Sequence, residues 1–201
     1  MADAQDLATA NASAETTESC SSRRTAMGFR GAVEEMFGDE GVREVRLHLP
    51  ADADAAFFDA RSVGEKWVAE RHLLTFMDAV LNGPCGRNRI KFADWGRLQI
   101  VRGFGRVKAA MLRVVTPQIL ASRAAALWRE EHTRGVLVAS SVPGRAVVTL
   151  TDHGFVTHHL APAVLTESLR TVIAMSYFAK DVRGSFELLK GPRLAMTFTW
   201  S

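Results

Sequence analysis

Cysteine is scarce in this chain of 201 residues: Cys20 and Cys85 are its only two. Two thiols cannot make a disulfide framework or, alone, a structural zinc site, so a reducing, cytoplasmic setting is expected. No apolar run approaches the roughly 18 to 20 residues that a membrane span requires. No basic start followed by an apolar stretch marks a secretory signal. Internal repeats are missing. Gly-x-Ser-x-Gly is absent, which removes the strand-to-helix nucleophile elbow, and His-Glu-x-x-His is absent, which removes the helix-borne metalloprotease site. Gly103-Phe104-Gly105 lacks both the dinucleotide-binding continuation and a P-loop ending, and reads as a helix hinge. With no complete catalytic constellation, the expectation is a chain that is not an enzyme.

What is present is the composition of a protein with a core: 47% hydrophobic and 23% charged residues. The net charge of +3 hides an asymmetry. Residues 27–86 hold 11 acids against 6 bases, whereas residues 87–134 hold 11 bases against 3 acids. The two blocks can compensate each other within one domain. Alternatively Arg97, Arg102, Arg106, Lys108 and Arg113 form a solvent-facing surface that steers an acidic protein partner. Nucleic acid is not indicated, because no nucleic-acid fold signature accompanies the charge.

Residues 1–26 are rich in Ala, Ser, Thr and Asp and read as a flexible tail that carries Cys20 as an exposed thiol. Residues 27–201 read as a single α+β domain. Phe29, Val33, Met36 and Phe37 recur at helical spacing until Gly38, and 41–49 is ambiguous between helix and extended chain. Residues 65–81 carry the broadest apolar helical stripe, closed by Asn82-Gly83-Pro84. Residues 88–101 follow, with a break expected at Gly103 and Gly105. Thr116-Pro117 is a helix start, with a capping hydroxyl and a proline at the first helical position. Beyond Gly135 the period changes to two. Residues 136–140 and 146–151 flank Pro143-Gly144, a helix opens at Pro162, and 182–189 and 194–200 flank Gly191-Pro192. N-terminal helices followed by a β-β-α-β-β unit give a four-stranded antiparallel sheet.

Two groups of residues offer chemistry. Asp152, His153, His158 and His159 put three imidazoles and a carboxylate within eight residues, a set that could hold a divalent metal. The other reading is a polar loop between a strand and a helix. Trp67, Trp95, Trp128 and Trp200 lie on separate elements and could line a ligand pocket or fill a core. His132 ends a helix, where a protonated imidazole complements the dipole. His72 and His48 read as surface or edge histidines, and Cys85 as a small loop cysteine.

From Thr116-Pro117 through Leu127-Trp128-Arg129, His132 and Gly135 to the closing Gly191-Pro192-Arg193-Leu194 and Thr197-Phe198-Thr199-Trp200, the chain resembles a group of short paralogous proteins of myxobacteria. These are similar in turn to the four-vinyl-reductase domain. More distantly they resemble haem nitric-oxide/oxygen-binding domains and the small subunits of the vesicle-tethering TRAPP complex. The resemblance covers residues 28–201 and implies helices followed by an antiparallel sheet, with a ligand-binding or scaffolding role. Haem-binding members use Tyr-x-Ser-x-Arg and a proximal histidine. The single tyrosine here, in Tyr177-Phe178-Ala179-Lys180-Asp181, does not match, and no cysteine follows Cys85 into the closing hairpin. The expected cofactor is therefore none, with haem disfavoured. The expected function is a non-enzymatic cytoplasmic regulatory or scaffold module that binds a small apolar ligand or a protein partner. The alternative is a metal-dependent sensor or metalloenzyme built on residues 152–159. Self-association as a homodimer is left open by the sequence.

Overall fold

The computed structural model describes residues 18–201, with the backbone alone at 63 and 104–109. It is an α+β fold in which a helical half precedes a sheet half. In the first half, strand β1 (Cys20–Ser22) leads into helix α1 (Arg23–His48), then α2 (Ala51–Phe58), β2 (Trp67–Ala69), α3 (Glu70–Asn82) and α4 (Arg89–Arg113). The second half runs α5 (Pro117–Glu131), β3 (Val136–Val142), β4 (Arg145–Thr151), α6 (Ala161–Ala174), β5 (Arg183–Leu189) and β6 (Arg193–Thr199). No described helix is long and apolar enough to cross a membrane.

Ser22 caps α1 by accepting the Thr25 N–H, and Ala26, Phe29, Ala32 and Val33 bury one stripe of the helix. That stripe lies against α4 so closely that a Cβ on Gly28 would stand 2.8 Å from the Gln99 carbonyl oxygen. Glycine is what lets the two backbones touch. The ambiguous stretch after Gly38 continues as helix, past a kink where Gly38 takes φ +63°. α3 and α4 complete the core of this half, where Trp95 meets Phe29 edge-on and Phe92 face-on, both at 5.2 Å.

The sheet order is β3-β4-β6-β5, all antiparallel. Pro143-Gly144 closes the first hairpin with Gly144 at φ +76°, a geometry open to glycine without steric cost. Alternation sends Leu137, Ala146, Val148, Leu150, Leu194, Met196 and Phe198 into the core. The fold class, the hairpins and the Thr116 cap, which accepts the Ile119 N–H, match the sequence expectations.

Several boundaries differ. Residues 1–17 of the expected tail lie outside the described residues, but Cys20–Ser22 is paired strand and α1 already begins at Arg23. The strand is held by Trp67–Ala69, so the helix expected from 65 begins only at Glu70. No break occurs at Gly103 and Gly105: α4 runs through both. Each glycine costs a helix interior only about 1 kcal/mol, which packing of α4 on α1 and α6 offsets.

Candidate functional site

Between α5, α6 and the inner face of the sheet lies a cavity of about 210 Å³. Leu137, Ala146, Val148 and Phe198 form its floor, and α5 and α6 contribute Leu120, Ala124, Trp128, Leu165, Leu169 and Val172. Exposed Leu127 and Arg24 are also among its lining residues. The wall is apolar because the polar side chains around it are engaged with one another. Gln99 donates to Ser168 Oγ at 2.7 Å, and Glu131 takes Arg24, Ser22 and Thr25.

His132 is the exception. It caps α5 in extended conformation, with its N–H on the Trp128 carbonyl, and it lines the cavity. Its ring stacks on Trp128 at 3.8 Å between centroids, and Nδ1 stands 3.0 Å from Ser21 Oγ. Among the described residues Nε2 has no hydrogen-bond partner. Burial, with the neighbouring His153 adding to it, lowers the pKa to about 3. The expected protonated imidazole at a helix end is thus corrected: desolvation outweighs the helix dipole, and the ring is neutral. A neutral imidazole fixed through Nδ1 is the form that ligates a metal through Nε2.

Behind His132 a second buried group joins the two halves. Glu70, at the start of α3, sets Oε1 2.9 Å from His153 Nδ1, and Ser19 donates to its Oε2. The Phe155 N–H approaches the same Nδ1 at 3.3 Å. The Glu70–His153 contact is short but badly angled, so Glu70 Oε1 is left without a well-formed hydrogen bond, and His153 Nε2, on the other side of the ring, has no partner among the described residues. Gly135, at φ +86°, lets the chain pass: a Cβ there would stand 2.8 Å from the His153 ring.

The sequence candidates are dispersed over this frame. Of the four tryptophans, Trp128 lines the cavity, while Trp95 is fully buried between α1, α3 and α4. Trp67 lies on β2 near Lys66, and Trp200 is partly buried just after β6. Within 152–159, His153 turns inward to Glu70, Asp152 sits exposed at φ +55°, and His158 and His159 both face Asp78 of α3. Arg97 pairs with Asp94 and Glu167, Arg102 pairs with Glu35, and Arg113 is exposed at the end of α4. Arg106 and Lys108 fall in the stretch described by its backbone only. His72 is buried rather than at the surface, and burial, first among the causes, lowers its pKa. Cys85 is buried too, which raises its pKa to about 11 and leaves a thiol without thiolate character. Ser21 and Glu70 escaped sequence reasoning altogether, since a lone serine and a lone glutamate carry no spacing signal.

No family model and no curated protein matches this sequence. The fold does have solved counterparts, and they define a class: the H-NOX fold. An Fe(II) unliganded H-NOX protein mutant from K. algicida is similar at TM-score 0.61 and 11% identity, over 90% of this chain and 96% of that one. An oxygen-binding H-NOX domain related to soluble guanylate cyclases gives 0.57 and 9%, over 87% and 92%. An H-NOX protein from S. oneidensis in the Fe(II) ligation state gives 0.57 and 12%, over 89% and 95%. The resemblance to haem-binding domains is therefore met at the level of fold. The expectation of no cofactor is corrected by the same finding, because the structures matched are iron-bearing and another concerns heme distortion in the H-NOX family. The expectation rested on one missing linear motif, which is silent about a ligand histidine placed elsewhere.

The donors here suit that group. Haem iron takes an axial His, Cys, Met or Tyr. Among the lining residues His132 offers a neutral, oriented imidazole, and Arg24 offers a cation for a carboxylate. The cavity volume lies below the roughly 300–1,000 Å³ of drug-sized ligand sites, so a macrocycle requires α5 to move outward. Only Pro117 and Trp128 of that helix are buried.

Proposed function

We propose that this chain is a non-enzymatic sensor domain whose cavity takes haem, which His132 would hold through its imidazole. The observation that carries the reading is the neutral His132 imidazole, held by Ser21 at the wall of an otherwise apolar cavity. When bound, haem supplies an iron centre able to take a diatomic gas. The chain's own residues do the rest. Ser21 Oγ, 3.0 Å from Nδ1, would accept the Nδ1–H in the ligating tautomer, which leaves the Nε2 lone pair available. Trp128 holds the ring plane by stacking, and the aliphatic wall excludes water. Arg24 already pairs with a carboxylate, Glu131, and can exchange it for one on the ligand.

The test is titration of the purified full chain with haem, followed in the Soret band. One equivalent should bind with a histidine-type spectrum. His132→Ala should abolish that spectrum, and Ser21→Ala should weaken binding about 10- to 100-fold, as loss of an outer-shell partner does. An identical spectrum in His132→Ala would sink the assignment of the ligand. No saturable binding by the wild-type chain would sink the cofactor itself.

A further inference from the structure

A second constellation lies apart from His132. Asp78 on α3 faces the turn that leads into α6, where Oδ2 stands 3.3 Å from His158 Nε2 and Oδ1 stands 3.3 Å from His159 Nε2. One donor atom from each of the three residues falls within 4.8 Å of the other two. We propose that Asp78, His158 and His159 form a site for a divalent transition metal of the zinc class.

The spacing is the first argument. Charge-assisted N–H···O bonds close to about 2.7–2.9 Å, and these contacts are longer. Each equals the edge of a coordination tetrahedron, about 3.3–3.4 Å for Zn–N and Zn–O bonds near 2.0–2.1 Å. Because the two rings face different oxygens of the carboxylate, one ion requires Asp78 to turn a single oxygen toward both. The donor set is the second argument: two imidazoles and one carboxylate suit zinc or a neighbouring first-row ion, and they carry too little charge for calcium.

The third argument is room. His159 also lines a separate cavity of about 140 Å³, together with Leu160, Arg89 and Glu167. Three protein ligands beside such a space leave the fourth position to water or a small anion. The neighbouring residues of the loop do not complete the set, since His153 is turned inward and buried beside Glu70 and Asp152 is exposed. One contact opposes binding. His158 Nδ1 accepts the Leu160 N–H at 3.3 Å, which puts the ring proton on Nε2 in the metal-free chain. Binding must move that proton to Nδ1 and release the contact, so His159 and Asp78 are the first ligands to engage.

The experiment is calorimetric titration of the tag-free, chelator-treated full chain with Zn²⁺ alone, repeated with Co²⁺ for its visible spectrum. The wild-type chain should take one Zn²⁺ and melt at a higher temperature with it. The Co²⁺ complex should show tetrahedral absorption. His159→Ala changes an exposed side chain and keeps the fold, and it should weaken binding at least tenfold; Asp78→Asn should do the same. Cys20→Ser should leave Zn²⁺ binding unchanged, which separates this site from a thiol-held ion. No saturable binding overturns the proposal. So does full binding by His159→Ala, or binding that vanishes with Cys20→Ser.

Discussion

The two halves of the molecule are packed on different terms. Around Trp95 the aromatic rings of Phe29, Phe76 and Phe92 lie at centroid distances between 5.2 and 6.4 Å, and Phe57 reaches Phe76 at 4.2 Å. All five side chains are at most 5% exposed. Around α5 the opposite holds. Of its 15 residues only Pro117 and Trp128 are buried, Ile119 and Leu127 face solvent, and a cavity lies beneath. A dense half supplies stability, and a loosely covered half can open for a ligand. Binding energy that fills the void then adds to the stability of the folded chain.

Truncation breaks that comparison most sharply. Trp95→Ala should cost about 3–5 kcal/mol, because the ring is fully enclosed and its Nε1–H bonds the Phe29 carbonyl at 3.3 Å. Leu127→Ala, on the loose helix, should cost under about 1 kcal/mol. Urea unfolding of the two variants reads the difference directly. Equal losses would mean that α5 is held as firmly as α4.

His132 gives the next largest effect, through pH. Its pKa is about 3 folded, against 6.5 for an ordinary imidazole, so between those values the unfolded chain binds the extra proton. The stability due to a neutral His132 is complete above pH 6.5 and drains away as pH falls toward 3, at about 1 kcal/mol per pH unit. From pH 6.5 to 5 the wild-type chain should lose roughly 1.5 kcal/mol more than His132→Gln. Buried His72, also shifted downward, leaves a residual slope in both. Identical slopes would place a water-accessible, protonatable ring at 132.

The same contrast explains what the sequence discloses. Pro143-Gly144, Thr116-Pro117 and the alternation of Leu194, Met196 and Phe198 are local signals, and each produced the element it announced. Long-range pairings carry no such mark. β1 and β2 are three residues each and 47 positions apart at Ser21 and Val68, so neither stands out until the other is in place. His132 is in the same position. Its burial depends on Ser21, 111 residues away, and its neutrality depends on its burial. Asp78 meets His158 across 80 residues for the same reason. Local spacing revealed the imidazoles, and only the fold could supply the carboxylate.

Filling the cavity sharpens the comparison further. Ala124→Leu places three extra carbons in the void beneath α5 and should stabilise the apo chain by about 1 kcal/mol, as cavity-filling changes commonly do. It should also slow amide exchange in α5 relative to α1 and weaken haem uptake, since ligand and leucine claim one space. Destabilisation would show that the wall cannot accommodate a larger side chain.

The smallest expected effect lies on the surface that joins the halves. Arg102 of α4 pairs with Glu35 of α1, while the Arg97 guanidinium reaches Asp94 on its own helix and Glu167 on α6 at 3.5 Å. These are contacts between the basic block and the acidic groups around it, as internal compensation requires. Yet Arg102 and Glu35 keep 53% and 42% of their side chains exposed, where water and salt screen the attraction. Pairs of this kind contribute about 0–1 kcal/mol, which is little return for so many arginines. Arg102→Glu sets two carboxylates side by side and should still lower stability by no more than about 1 kcal/mol, with the loss fading as salt is raised. Melting temperatures at low and high ionic strength decide it. A loss several times larger, and insensitive to salt, would make Arg102 part of the framework. A small, salt-sensitive loss leaves the guanidinium free to exchange Glu35 for an acidic partner, the use its position at the surface permits.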